Sequence, residues 1–312
     1  MKLLLTGSTG FLASALQKKL DDHLVILTSR SYEMENSSRT FRKNISSTED
    51  FSDCLRNVDV VIHTAARVHQ INDLAEDPQR EFMEANCFGT INLARQAVQA
   101  GVKRFIFISS IKVNGEVSHS GKPFSFDDPR MPEDFYGISK AKAEEGLLRI
   151  AAETNLEVTI IRPPLVYGPK VKANFAIMLK LASKNVPLPL GSINNKRSFV
   201  ALDNLVNLIV TCIDHPKAAN QIFLVSDDND VSTSKLFSIM VEAFGKNARL
   251  INVSPPFLRL IFKFIGKEEM IDRLCGDLRV DIRHTKNTLD WTPVVSLVDG
   301  VKICVASSLS NK

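Results

Sequence analysis

The sequence predicts an α/β fold, a doubly wound parallel sheet joined to a smaller mixed α/β lobe. Three observations predict it. Runs apolar on both faces alternate with helix-period segments through the first half, as in a parallel sheet covered on both sides. A tight glycine turn joins the first run to the first helical segment, and after residue 169 the alternation gives way to turn-rich and helical stretches.

The elements follow in order. "KLLLTG" (2–7) is an apolar run stopped by glycine, and "FLASALQKKL" (11–20) has helical spacing, so strand, turn and helix are expected. The alternation continues with "LVILT" (24–28), "VDVVIHTAA" (58–66), a helix around 79–100, "RFIFISS" (104–110), a helix from about 136 to 153 and "EVTIIR" (157–162). Beyond "RPPLVYGP" (162–169), the segment "NVPLPLGSINNKRS" (185–198) is rich in turn residues; a helix near 203–214 and a strand "IFLVSD" (222–227) follow. Residues 1–165 with about 200–227 are expected to form the sheet domain, and about 166–199 with 228–312 the lobe.

Composition sets outer bounds. At 312 residues the chain can build a sizeable core. A net charge of +4, with the basic residues scattered, is too small to imply a nucleic-acid partner. Cys54, Cys87, Cys212, Cys275 and Cys304 are widely spaced, without a C-x-x-C or nearby histidine pairs. Reduced thiols in a cytoplasmic protein, and no metal site, are expected. The first residues do not read as a secretion signal, and no run reaches transmembrane length.

Within "TGSTGFLAS", Gly7 and Gly10 stand between strand and helix, with Ala13 three further on. The first glycine permits the sharp turn, the second admits a pyrophosphate to the backbone, and the small third residue lets helix and strand pack. An anion is favoured at that helix N-terminus. At the end of the second strand, where an acid would hold the adenosine ribose of NAD, stand Thr28, Ser29 and Arg30, with no carboxylate before Glu33. A guanidinium suits a 2′-phosphate. NADP(H) is therefore the favoured cofactor, and NAD(H) the alternative.

"DFYGISKAKAEE" (134–145) places Tyr136 and Lys140 four apart on a helix, sharing one face. A phenol beside a fixed cation loses its proton more readily. The pair is a candidate acid/base at neutral pH.

Several motifs in order carry a resemblance along nearly the whole chain. They are TGSTGF (6–11), HTAA (63–66), N-x-x-G-T (86–90), FISSIKVNG (107–115), YGISK (136–140), RPPLVYGP (162–169) and RSFVALDN (197–204). The sequence resembles the extended short-chain dehydrogenase/reductases that act on nucleotide sugars, the NAD-dependent epimerase/dehydratase group. The resemblance implies a Rossmann-type sheet and a nucleotide-sugar-binding lobe. It makes Tyr136 the catalytic acid/base, Lys140 the residue that lowers its pKa while holding the nicotinamide ribose, and Ser110 the hydroxyl that bonds the reacting oxygen. Gly7, Thr9, Gly10, Phe11 and Leu12 would form the cofactor loop, and Ala65, Ala66 and Pro163 would line the cofactor with Arg30. Asn174 and Arg197 match positions that bind the sugar nucleotide's diphosphate, with Ser110 also touching substrate. Asn86 is expected to support the site as a helix residue, and His63 to end its strand as a packed residue. The resemblance also implies a homodimer through the helices near 79–100 and 136–153.

Two departures narrow the reaction. Family dehydratases carry Asp-Glu after the Ser/Thr, where this chain has Ile111 and Lys112, and Leu165 stands where many relatives have asparagine. Dehydration is thus not expected. The favoured reading is reduction at C4 of a UDP-linked 4-keto-(6-deoxy)hexose in surface-polysaccharide sugar synthesis. A UDP-hexose 4-epimerase with tightly bound NAD is the alternative, and a non-catalytic cofactor-binding sensor a further one. Last, "PPFLRLIFKFIGK" (255–267) is apolar with Arg259 and Lys263 on one helical face. Packing in the lobe or at a dimer contact is its commoner fate, contact with a membrane surface the other.

Overall fold

Seven parallel strands stand side by side in the order β3-β2-β1-β4-β5-β6-β9 in the computed structural model, which describes residues 1–30, 39–68, 75–118, 121–264, 266 and 268–310. Glu33, Ile265 and Lys267 lie outside the described residues. The strands are β1 (Lys2–Thr6), β2 (Leu24–Ser29), β3 (Thr40–Arg42), β4 (Val60–His63), β5 (Arg104–Ile108), β6 (Glu157–Arg162) and β9 (Gln221–Leu224). β1 pairs with β2 on one side and β4 on the other. The strand order therefore reverses beside β1, and a crevice opens there beyond the carboxyl ends of the strands.

Period-2 alternation explains the two faces. Leu3 and Leu5 of β1 point to one side with Ile62, Ile106 and Ile161, under α1 (Phe11–Gln17) and α6 (Leu202–Asp214). Leu4 points to the other with Val61, Phe105, Phe107 and Ile160, under α3 (Gly89–Gln99) and α4 (Phe135–Glu153). Burying apolar area on both faces supplies roughly 25 cal/mol per Å². These strands accordingly carry almost no polar residues in their interiors.

The helix expected around 79–100 runs from α2 (Pro78–Phe82) through a π-helical turn (Met83–Phe88) into α3. Asp77 caps it by accepting a hydrogen bond from Arg80 N. Gly89 is required by close approach: a Cβ there would stand 2.7 Å from Ile45 Cγ2 and 2.8 Å from the Ser46 nitrogen. The segments 58–66 and 104–110 form shorter strands than their apolar runs suggest, because His63 and Ile108 are the last sheet residues and the chain leaves the sheet at Thr64 and Ser109.

Strand β3 was not anticipated; it is three residues long with a single apolar side chain, Phe41. A separate two-stranded parallel ribbon joins β7 (Leu165–Tyr167) to β8 (Phe199–Ala201). Beyond it, α5 (Ala173–Lys184), α7 (Thr233–Ala243) and α11 (Leu297–Ser310) pack around Tyr167, Phe175, Phe237, Met240 and Val301. α8 (Pro255–Phe264) and α9 (Glu268–Cys275) close a small cluster at Leu190, Ile193, Leu258 and Ile271. Leu278, Val280, Ile282, Trp291 and Leu289 of α10 (Arg283–Leu289) return to the sheet-side cluster under α6. A buried knot sits where sheet and ribbon meet. Tyr167 Oη donates to Asp227 Oδ2 (2.6 Å), while Asp227 Oδ1 accepts from Ala201 N and Asn204 Nδ2, each at 2.7 Å. Burial raises the Asp227 carboxyl and pushes the Tyr167 phenol up.

Candidate active site

The loop after β1 is shaped for an anion. Gly7 has φ +68°, and a Cβ on it would stand 2.8 Å from Ala65 Cα, so the turn and the segment after β4 touch backbone to backbone. Gly10 N donates to Gly7 O at 2.8 Å, and Gly10 caps α1 with no side-chain cap and no acid in the first turn. The first amide donors of α1, at Phe11 and Leu12, have no intrahelical acceptor by helix geometry. Their side chains pack against the sheet core, while Thr9 and Gly10 are exposed. These residues fit the pyrophosphate of a dinucleotide. Ala65 and Ala66 line the adjoining edge, half-buried. Thr9 Oγ1 and Ser29 Oγ share a hydrogen bond at 3.3 Å, and Arg30 is exposed at the end of β2.

At the carboxyl ends of β5 and β6 the reactive groups gather. Ser110, half-buried, caps the 3₁₀ turn Ile111–Val113 by accepting from Lys112 N (3.3 Å), and Ile111 N donates to Pro163 O at 3.0 Å. Ser110 and the buried Pro163 are thereby held side by side. Asp134 caps α4 by accepting from Gly137 N (2.6 Å), which fixes the turn carrying Tyr136. Lys140, one turn on, is buried and donates to Ile108 O at 2.8 Å. Its Nζ lies 4.4 Å over the Phe107 ring and 6.0 Å from the Tyr136 ring centre.

Burial dominates the electrostatics of this pair. Burial pushes the Tyr136 phenol up to about 12, with the Asp134 carboxylate acting in the same direction. Burial also pulls Lys140 down to about 7, against the opposing influence of Glu144. Spacing put both groups on one face, and desolvation is the largest influence on each of them.

A chain of buried hydrogen bonds links the cofactor loop to the helix of Tyr136. Thr90 Oγ1 donates to Asn86 O (2.8 Å), so at 2.9 Å it accepts from His63 Nε2–H, and His63 Nδ1 then accepts from Thr6 Oγ1 at 2.7 Å. Burial holds this imidazole neutral, its pKa lowered to about 3. Asn86 Nδ2 donates to Ser139 Oγ (3.0 Å), and Ser139 Oγ to Tyr136 O (2.8 Å). Asn86 also pairs with both backbone groups of Arg67.

Sequence reading did not single out the buried carboxylate of Glu144, four residues after Lys140. It accepts from Ser109 Oγ (2.6 Å), Arg130 Nε (2.9 Å), Arg162 Nε (2.9 Å) and Arg162 Nη2 (2.6 Å). Ser109 precedes Ser110 and Arg162 precedes Pro163, so one carboxylate braces both strand ends. An acid on the inward stripe 136-140-144 was the available signal. Lys112, where dehydratases carry an acid, is a strut: its Nζ meets Asp134 (2.5 Å) and Glu116 (2.7 Å). In the lobe, Arg197 is half-buried and its Nη1 donates to Arg273 O and Gly276 O; burial lowers its pKa, and the Arg273 charge adds to that. Arg273, which no local spacing flags, thus brings a second guanidinium-bearing residue beside Arg197. Asn174 is exposed as the second residue of α5.

Comparison with known proteins agrees with this geometry. The sequence profile described as "NAD dependent epimerase/dehydratase family" matches residues 3–226. A Vibrio cholerae protein described as "UDP-glucose 4-epimerase" is 49% identical over 305 residues, 96% of this chain and 93% of that one. An Escherichia coli "dTDP-4-dehydro-6-deoxyglucose reductase" is 25% identical, over 80% of this chain and 75% of that one. Among solved structures, the UDP-glucuronic acid 4-epimerase of Bacillus cereus in complex with NAD superposes with a TM-score of 0.80 at 21% identity, covering all of both chains. With a glycine cradle at the switch point, a Ser-Tyr-Lys group at the neighbouring strand ends, and both profile and relative matched across most of its length, the chain belongs to the NAD-dependent epimerase/dehydratase family of nucleotide-sugar enzymes.

Proposed function

We propose that the protein is a UDP-hexose 4-epimerase working with NAD. The observation that carries this reading is the 49% identity, over 96% of the chain, with the Vibrio cholerae UDP-glucose 4-epimerase. This reverses the order of preference that Arg30 suggested, since the missing acid after β2 had favoured NADP(H) and a one-way reductase; Arg30 itself is exposed and the segment from 31 to 38 lies outside the described residues. NAD, when bound, supplies the acceptor and donor for hydride at C4 of the sugar.

The chain's own residues would handle the proton and the pose. Tyr136 takes the proton of the C4 hydroxyl as the carbinol is oxidised and returns it as the carbinol is rebuilt on the other face. The proton it gains in the first half is the one it donates in the second. Ser110 bonds the same oxygen, and Lys140 holds the ribose beside it. Arg197 and Asn174 would hold the diphosphate, aided by Arg273; a guanidinium can bind phosphate oxygens bidentately. A homodimer through the helices of 78–99 and α4, where Phe88 and Phe135 are exposed, is part of the proposal. So is a cytoplasmic setting, which accords with five free cysteines.

The test is direct. Purified protein, denatured and its supernatant analysed, should release NAD, and with UDP-glucose it should form UDP-galactose by NMR without net change in cofactor. Release of no dinucleotide, together with stoichiometric NADPH oxidation by a 4-keto sugar nucleotide, would replace the epimerase with the reductase.

A further inference from the structure

α8 has two apolar faces where a helix of a small lobe needs one. Leu258 and Phe262 point inward to the cluster at Leu190 and Ile271. Phe257, Leu260, Ile261 and Phe264, spaced i, i+3, i+4 and i+7, point outward and are 55, 50, 41 and 82% exposed. Ile251 and Met270 extend the patch, so six of the eighteen exposed large apolar side chains among the described residues fall within residues 251–270. Scattered single exposures need no explanation, but a concentration of this kind marks a contact surface.

The charge around it chooses the partner. From Ala243 to Met270 the sequence holds five cations, Lys246, Arg249, Arg259, Lys263 and Lys267, against two acids, Glu268 and Glu269, at the far end, whereas the whole chain has 39 cations against 35 acids. Arg249, Arg259 and Lys263 are exposed. Arg259 meets Asp272 of α9 at 3.4 Å in a pair that is mostly solvent-exposed, which a competing anion can displace at little cost. Aromatic and branched side chains on one face with basic residues on its flank are what an interfacial helix presents to acyl chains and headgroups. No helix among the described residues is long and apolar enough to cross a bilayer, so the contact lies in the plane of the surface.

We propose that α8 seats this protein on an anionic phospholipid surface, with Phe257, Leu260 and Phe264 entering the headgroup boundary and Arg249, Arg259 and Lys263 meeting phosphate groups. α9 follows directly and carries Arg273, beside Arg197. The seated face therefore adjoins the residues proposed to hold the sugar nucleotide, and product would leave next to the membrane.

Flotation on vesicles tests this without reference to the reaction. The full chain is mixed with phosphatidylcholine vesicles, or with vesicles that also contain phosphatidylglycerol, at about 0.1 M and about 0.5 M salt. Co-flotation with the anionic vesicles, lost at high salt, is expected. Leu260→Ser with Phe264→Ser should abolish it, and Lys263→Gln should weaken it about fivefold. All three side chains are exposed, so the unfolding temperature of these variants should stay at the wild-type value and report that they are folded. Absence of flotation on anionic vesicles overturns the proposal. So does flotation that the double variant leaves intact, or light scattering in which the same double variant dissolves a dimer instead.

Discussion

Removing the charge of Glu144 should cost this protein far more than removing any surface acid. In Glu144→Gln the side chain keeps its shape, but Arg162, with 1% of its side chain exposed, loses its counter-charge. Its uncharged acceptors are then Asn114 Oδ1 at 3.0 Å, the Phe126 carbonyl at 3.4 Å and the one amide oxygen of the new glutamine. Arg130, whose Nε meets the same carboxylate at 2.9 Å, loses that partner too, though at 27% exposure it can turn toward solvent. Breaking a buried ion pair from one side costs about 3–5 kcal/mol. At about 1.5 °C per kcal/mol for a chain of 312 residues, the unfolding midpoint should fall by roughly 5–8 °C. Calorimetry on the variant reads this directly. Lys142→Ala, which opens the exposed Lys142–Glu145 pair at 2.9 Å, should cost about 0.5 kcal/mol or less. Because much of the large cost is the uncompensated cation, Glu144→Gln combined with Arg162→Met should be less destabilised than the single variant. A midpoint drop below about 2 °C, or a double variant worse than the single by the full cost of the second change, would refute the account of this cluster.

Tyr136→Phe should lower turnover by about a hundred- to ten-thousand-fold with the fold and cofactor binding retained; more than half of the wild-type rate would remove Tyr136 from the chemistry. Gly7→Ala forces a Cβ to 2.8 Å from Ala65 Cα at φ +68°, so it should cost at least about 1–2 kcal/mol of stability and weaken dinucleotide binding, as a denaturant titration and a binding titration would show. His63 is held neutral down to about pH 3, against an ordinary value of 6.5. Between those values the unfolded chain binds the extra proton, so this contribution to stability is complete above pH 6.5 and drains away as pH falls toward 3; the acid slope of the urea midpoint should be shallower in His63→Gln. Lys140, at about 7 against 10.5, works over the opposite range: the unfolded chain binds more protons from pH 7 to 10.5, stability gains across that window, and Lys140→Met should flatten the gain.

Local pattern carried the sheet well. Leu3, Leu4 and Leu5 announce a strand buried on both faces, and Gly7 with Gly10 announces the turn, because each depends on neighbours within a few residues. Helical spacing likewise placed Tyr136 and Lys140 together. What it could not carry was the environment: the same burial that makes the face reactive raises the phenol and lowers the amine, and burial is set by Phe107, Ile108 and the facing strand. The partners of Glu144 lie fourteen to thirty-five residues away along the chain, and the Thr6–His63–Thr90 line spans three elements. Leu278 to Trp291 joined the sheet-side cluster although nothing in their spacing distinguishes them from the lobe pieces around them. Three-residue strands such as β3 and β7 leave too little pattern to see.

The knot around Asp227 bears on how substrate gets in. The polypeptide passes between the sheet core and the lobe core near Tyr167, near Ala201 and near Asp227, and those three crossings are tied to one another through a single carboxylate. Asn204 extends the tie to the backbone of Val294 and Val295, ahead of α11. A clamshell swing of the lobe would have to break all of these buried bonds together. The sheet core and the lobe core are thereby joined at this point as one frame.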